Sequence, residues 1–151
     1  MQDKRLTVFV QTITHYLNQT TNGGINLGTP YLNDNSEPMA YDYTGIIGIS
    51  GSHKGCVYFT APRALISHML VKMGETDLSD SNFNDMVGEV ANIISGNARQ
   101  ELGPEFMISV PVVIRGELEE IHLPDTVRSY VIPLFWNNYR AAIVVSLENK
   151  S

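Results

Sequence analysis

GIIGISGSHKGCVYFTAP, residues 45–62, decides the fold. With Tyr43 and Thr44 before it, two apolar runs, YTGIIGIS and GCVYFTA, flank Gly51-Ser52-His53-Lys54-Gly55. That is the pattern of two β-strands joined by a glycine-containing hairpin loop. Pro62 then suits the first turn of a helix carrying Leu65, Ile66, Met69, Leu70 and Met73, closed by Gly74. After a polar linker, Asp80 or Ser81 can cap a long helix running to Leu102, with Gly103-Pro104 as its stop signal.

Toward the N-terminus, Leu6, Phe9, Val10, Ile13 and Leu17 recur at three- and four-residue intervals and predict an amphipathic helix ending near Thr20. Residues 22–40, rich in Gly, Asn, Pro and Asp, read as an irregular connection with one short strand at Ile25 to Leu27. Beyond the long helix come FMISVPVVIRGEL, then TVRSYVIPLFW and YRAAIVVSLEN on either side of Asn137-Asn138, a tight turn. Strands interrupted by two adjacent helices predict an α+β domain, a largely antiparallel sheet packed against long helices. The whole chain, 1–151, reads as a single domain.

The chain has 43% hydrophobic residues, enough for a proper core, and a formal net charge of −6 with Lys and Arg scattered. That balance argues against a nucleic-acid partner, which needs a basic footprint. No segment approaches the roughly 18 apolar residues of a membrane span, and the start lacks the apolar core of a signal peptide, so the expected compartment is the cytoplasm. Cys56 is the single cysteine, so no disulfide within the chain is expected. His15, His53, His68 and His122 lack metal-ligand spacing, and no metal site is expected. Ser50-Gly51-Ser52-His53 is not G-x-S-x-G and a strand follows it, so a hairpin turn is the better reading than a nucleophile loop.

The chemistry concentrates on the long helix. At about 100° per residue, Phe83, Val87, Val90, Ala91, Ile94, Ala98 and Leu102 fall on one arc, which must be the buried face. Asp85, Glu89, Asn92 and Gly96 cluster within roughly 60° on the opposite side, facing solvent or a partner. A solvated face is the ordinary meaning of such a stripe. Gly88 and Gly96 shift the balance, because each costs a helix interior up to about 1 kcal/mol relative to Ala. Either another element of this domain packs tightly there, or a partner backbone approaches Glu89 and Asn92.

GEVANIISGNARQEL resembles the signature helix of the CheC, CheX and FliY family of chemotaxis phosphatases. The shared features are the Gly-Glu-x-x-Asn core, the acidic residue four before the Glu, and the small residues that follow, here Asp85, Gly88, Glu89, Asn92, Gly96, Asn97 and Ala98. GIIGISGSHKGCVYFTAP and SVPVVIRG resemble the family's flanking strands, so the likeness covers roughly residues 43–116 and the ends by pattern only. A single Glu-x-x-Asn copy resembles CheX, whose members are homodimers with one site per subunit, and the terminal strands offer edges for pairing.

The resemblance implies a CheC/CheX-like fold and stimulated hydrolysis of the aspartyl phosphate of a CheY-like receiver domain, the phosphorylated partner. The receiver supplies Mg²⁺ and a Lys, so no cofactor is expected on this chain. Asn92 would orient the attacking water, since a carboxamide donates and accepts without repelling phosphate. Glu89 would pair with the partner's Lys. Asp85, Gly88 and Gly96 would contact the partner, although Asp85 can equally serve the helix dipole. Pro111 matches the family's proline and shapes a strand edge. Two rivals remain: a non-catalytic module that binds receivers, which would not need both Glu89 and Asn92, and a small-molecule hydrolase, for which no nucleophile, base and metal constellation exists.

Overall fold

The computed structural model describes residues 4–21, 23–34, 40–51, 53–104, 106–116 and 128–149. Its elements run α1 (Lys4–Thr21), β1 (Asn26–Leu27), β2 (Tyr31–Asp34), β3 (Tyr43–Gly51), β4 (His53–Ala61), α2 (Arg63–Lys72), α3 (Asp80–Leu102), β5 (Phe106–Ile108), β6 (Val112–Arg115), β7 (Arg128–Trp136) and β8 (Tyr139–Asn149). All pairings are antiparallel, in the order β1-β7-β8-β4-β3-β5, with β2 beside β7 and β6 beside β3. The α+β class read from the sequence is the observed one.

The β3–β4 hairpin is tighter than the five-residue loop expected, since both strands extend to Gly51 and His53; Ser52 lies outside the described residues. Gly51 takes φ 107, a left-handed value that favours glycine. At the other hairpin Asn137 adopts φ 54, as a tight turn between β7 and β8 requires. Helix α2 closes in a Schellman motif: Gly74 at φ 84, Glu75 N–H on the Leu70 carbonyl at 2.9 Å and Gly74 N–H on Val71 at 3.0 Å.

Alternation along the strands sends one set of side chains to the helices. Ile47, Val57, Phe59, Ala141, Ile143 and Val145 meet Val10, Ile13 and Leu17 of α1, Leu65, Ile66, Met69 and Leu70 of α2, and the buried face of α3. The opposite sheet face holds a smaller buried cluster of Cys56, Tyr58, Val131, Ala142 and Val144. Burial there pushes the Cys56 thiol up to about 12, so it behaves as a small apolar side chain.

Several expectations need correcting. FMISVPVVIRGEL is two strands, β5 and β6, separated at Ser109 to Pro111; Glu117 and Leu118 lie outside the described residues, as do Thr126 and Val127 before β7. The 22–40 connection holds a second strand, β2, because β7 is long enough to pair with both β1 and β2. Met73 caps α2 and is 49% exposed, not part of its apolar face. The terminal strands β7 and β8 are interior, so the free edges lie at β1/β2 and β5/β6. The side chains of Leu6, Phe9, Ala98 and Leu102 lie outside the described residues.

Candidate functional site

Helix α3 lies over β3, and the close approach depends on Gly45. A Cβ there would stand 3.0 Å from both the Val87 carbonyl oxygen and the Ala91 Cβ, so the helix backbone rests directly on the strand. Phe83, Val87, Val90, Ala91 and Ile94 are buried as their spacing predicts. Met86 and Ser95 are also buried, at 6% exposure each, because α3 is flanked on both sides, by α1 and by the β5–β6 edge. What remains open is a narrow stripe.

That stripe is the one the helical spacing selects. Asp85, Glu89, Asn92 and Gly96 are exposed, and Gly88 is half-buried at its margin. Glu89 and Asn92 are one turn apart, about 4.5 Å along the axis, and neither side chain is tied to another group among the described residues. Around Gly96 a Cβ would meet nothing within 4 Å, and at Gly88 it would sit 3.6 Å from Val113, an ordinary contact. Tight packing among the described residues therefore does not account for either glycine. Asp85 lies beyond the first turn of α3, where the helix dipole acts; Asp80 holds that position instead.

The start of α3 differs from the expectation of an Asp80 or Ser81 cap. Ser79 is the N-cap, in extended conformation (φ −78, ψ 160), its hydroxyl accepting from Asn82 N–H at 3.4 Å. Asp80 is drawn into a tertiary network: Arg63 at 2.5 Å, Arg115 at 3.2 Å and the Tyr43 hydroxyl, donating at 2.8 Å. The Arg63 hydrogen bond first, and the Tyr43 hydroxyl second, hold the Asp80 carboxyl below the usual carboxylate value. Arg63 also lies over the Phe83 ring, 4.5 Å from its centroid, and Phe83 meets Tyr43 edge to face at 5.7 Å. This cluster joins α2, α3, β3 and β6 and sets where the stripe begins. Sequence reasoning missed it, because Arg63, Asp80 and Arg115 show no spacing that announces the contact.

His68 packs 4.8 Å from Trp136 and 5.8 Å from Tyr139, among aromatic rings. Among the described residues no three His, Cys, Asp or Glu gather where a metal ion could be held. No described helix is long and apolar enough to cross a membrane.

The chain can be placed among known proteins. Residues 43–135 match the family of the chemotaxis phosphatase CheX, which extends the similarity past the end of β6. A CheC-like superfamily protein from Shewanella sp. PV-4 is 28% identical and superposes with a TM-score of 0.83, covering 99% of this chain and 100% of that one. The chemotaxis protein CheX from Desulfovibrio desulfuricans is 26% identical at a TM-score of 0.78, over 97% and 100% of the two chains. A chain of the CheX–CheY–BeF3–Mg complex from Borrelia burgdorferi shares the fold at 21% identity and a TM-score of 0.74, over 98% and 100%. No curated protein matches the sequence. With the family match spanning well over half of the chain, and the same fold along its full length, the protein belongs to the CheX family of chemotaxis phosphatases.

Proposed function

We propose that the protein binds a phosphorylated CheY-like receiver domain and stimulates hydrolysis of its aspartyl phosphate. The observation that carries this reading is the exposed pair Glu89 and Asn92, one turn apart on a stripe left open between α1 and the β5–β6 edge. Membership of the CheX family and the CheX–CheY complex of the Borrelia relative support it. The phosphoryl group and its Mg²⁺ reside on the receiver, so this chain needs no metal or cofactor of its own. Its contribution is position: the Asn92 carboxamide accepts from and donates to a water held in line with the scissile bond, and carries no charge to repel phosphate. Glu89 pairs with the receiver's active-site Lys and fixes the docking angle. Asp85 adds a peripheral contact, and the bare backbone at Gly88 and Gly96 admits the partner closely.

Phosphate release from a panel of phosphorylated receivers, with and without saturating protein, tests this directly. Acceleration of one receiver supports the proposal; equal rates for the confirmed cognate receiver would sink the enzymatic reading. Glu89→Gln should weaken the complex by about 1 to 3 kcal/mol, the truncation cost of a charge-assisted contact. Added salt should then weaken wild-type binding more than that of the variant, and parallel salt curves would remove the ion pair.

The 151 residues form a single domain in this reading, acting in the cytoplasm as a homodimer with one site per subunit. The interior placement of β7 and β8 moves any sheet-edge contact between subunits to β1/β2 or β5/β6. Sedimentation at micromolar concentration should give the dimer mass, and a monomer would refute the assembly while leaving the chemistry intact.

A further inference from the structure

The edge beside α3 carries one residue more than the strand it pairs with. Ile108 stands opposite Ile49 and Val112 opposite Ile46, so Ser109, Val110 and Pro111 face only Ile47 and Gly48 of β3. Ser109 takes Gly48: its N–H donates to the Gly48 carbonyl at 3.0 Å, and its hydroxyl accepts from Gly48 N–H at 2.7 Å. Val110 and Pro111 are left opposite Ile47 alone, which is a β-bulge at a sheet edge, and Pro111 has no N–H to pair. Val110 is 78% exposed, and Met107 and Val112 on either side are 71% and 54% exposed.

Two tie points fix where the bulge lies along the helix. Gly88 faces Val113, 3.6 Å from a Cβ built there, and the Arg99 guanidinium donates to the Ile108 carbonyl at 3.4 Å. The helix and the edge therefore run side by side in opposite directions. Between these points α3 rises about 16 Å, while the edge advances only the four steps of β3 from Gly45 to Ile49, about 13 Å at about 3.3 Å per residue, because the bulge adds a residue without adding length; the difference is within the reach of the Arg99 side chain. Asn92, about 6 Å along from Gly88, comes level with the bulge opposite Ile47, two steps from Gly45; Gly96, about 12 Å along, comes level with Ser109 and Ile108. Around the helix Asn92 lies within about 40° of both Gly88 and Arg99, the side that faces the edge. Glu89 lies on the far side of the stripe.

We infer that the Val110 bulge is the second element of the receiver-docking surface, seating against an apolar patch of the receiver that borders its phosphorylated aspartate. This rests on the receiver-phosphatase reading above. A surface that reaches Asn92 across the bare backbone at Gly96 comes down next to Val110, so one approach engages both. The extra residue lifts an apolar side chain out of the ladder where no part of the described fold covers it, leaving it free to enter the interface.

Val110→Asp, Val110→Leu and, as a control, Val71→Asp on α2, where Val71 is 54% exposed, should be compared for KM and kcat toward the phosphorylated receiver. Receiver titration and sedimentation complete the set. Val110→Asp is expected to raise KM and the dissociation constant about tenfold, the loss of one buried valine, with kcat within about twofold. Val110→Leu should stay near wild type, and Val71→Asp should change nothing. If wild type accelerates hydrolysis and Val110→Asp leaves KM unchanged, the inference fails while the function stands. Loss of the dimer in Val110→Asp, with KM following protein concentration, would assign the bulge to a second copy of this chain and overturn it. If wild type binds the receiver without accelerating hydrolysis, the phosphatase reading fails and the titration alone judges the bulge; no binding at all overturns both.

Discussion

Asn92→Ala is expected to reduce the stimulated release of phosphate from the receiver by about 100-fold, the order lost when an attacking group is no longer held in line. Affinity for the phosphorylated receiver should change little. The expectation follows from where Asn92 sits: it is exposed, and its carboxamide is tied to no other described residue. Removing it strands no buried partner, and alanine is the better helix former, so the melting temperature should hold or rise slightly. Phosphate release at saturating protein, paired with a binding titration, separates the outcomes. A rate loss matched by an equal loss of affinity would make Asn92 a docking residue. Wild-type protein that binds without accelerating phosphate loss would establish the adaptor reading, since the variant would then have no activity to remove.

The largest effect on stability is expected from Phe83→Ala, at about 3 to 5 kcal/mol, the range for deleting a fully packed aromatic side chain. Phe83 is 1% exposed, and it is held between the Tyr43 ring and the Arg63 guanidinium, so its loss opens a cavity against groups that also hold Asp80. Those groups cannot close the space without giving up the ion pair and the hydrogen bond that seat α3. In a chain of 151 residues the melting temperature should fall by about 10 °C. Thermal unfolding followed by circular dichroism is the check, and a drop under about 3 °C would mean that the cluster collapses onto the gap. At low temperature, where the variant is folded, kcat should survive, because Asn92 lies more than two turns away along the helix.

Helix α3 shows the division between local pattern and tertiary contact. Its apolar arc was readable because a helix repeats its direction every 3.6 residues, so Phe83, Val87, Val90, Ala91 and Ile94 had to share a face whatever they packed against. The stripe with Glu89 and Asn92 followed as its complement. The hairpins were readable for a similar reason: turn residues and period-two alternation are local. The cap was not, because Ser79, Asp80 and Ser81 are all competent cap residues, and the choice fell to Arg63 and Arg115, brought to Asp80 from α2 and β6.

The local pattern alone determined the three helices, the two hairpins, the antiparallel α+β class, the buried and open faces of α3 and the residues of its signature. All of these depend on neighbours within about two helical turns or one strand pair. Only the tertiary structure decided that β7 and β8 are interior, that Gly45 lets α3 rest on β3, that Asp80 serves a four-element cluster, and that Val110 bulges out level with Asn92. Each of these is a contact between segments distant in the chain. Their geometry is set by sheet order and by register, where a shift of one residue reverses every side chain, and no local periodicity encodes which strand becomes the neighbour.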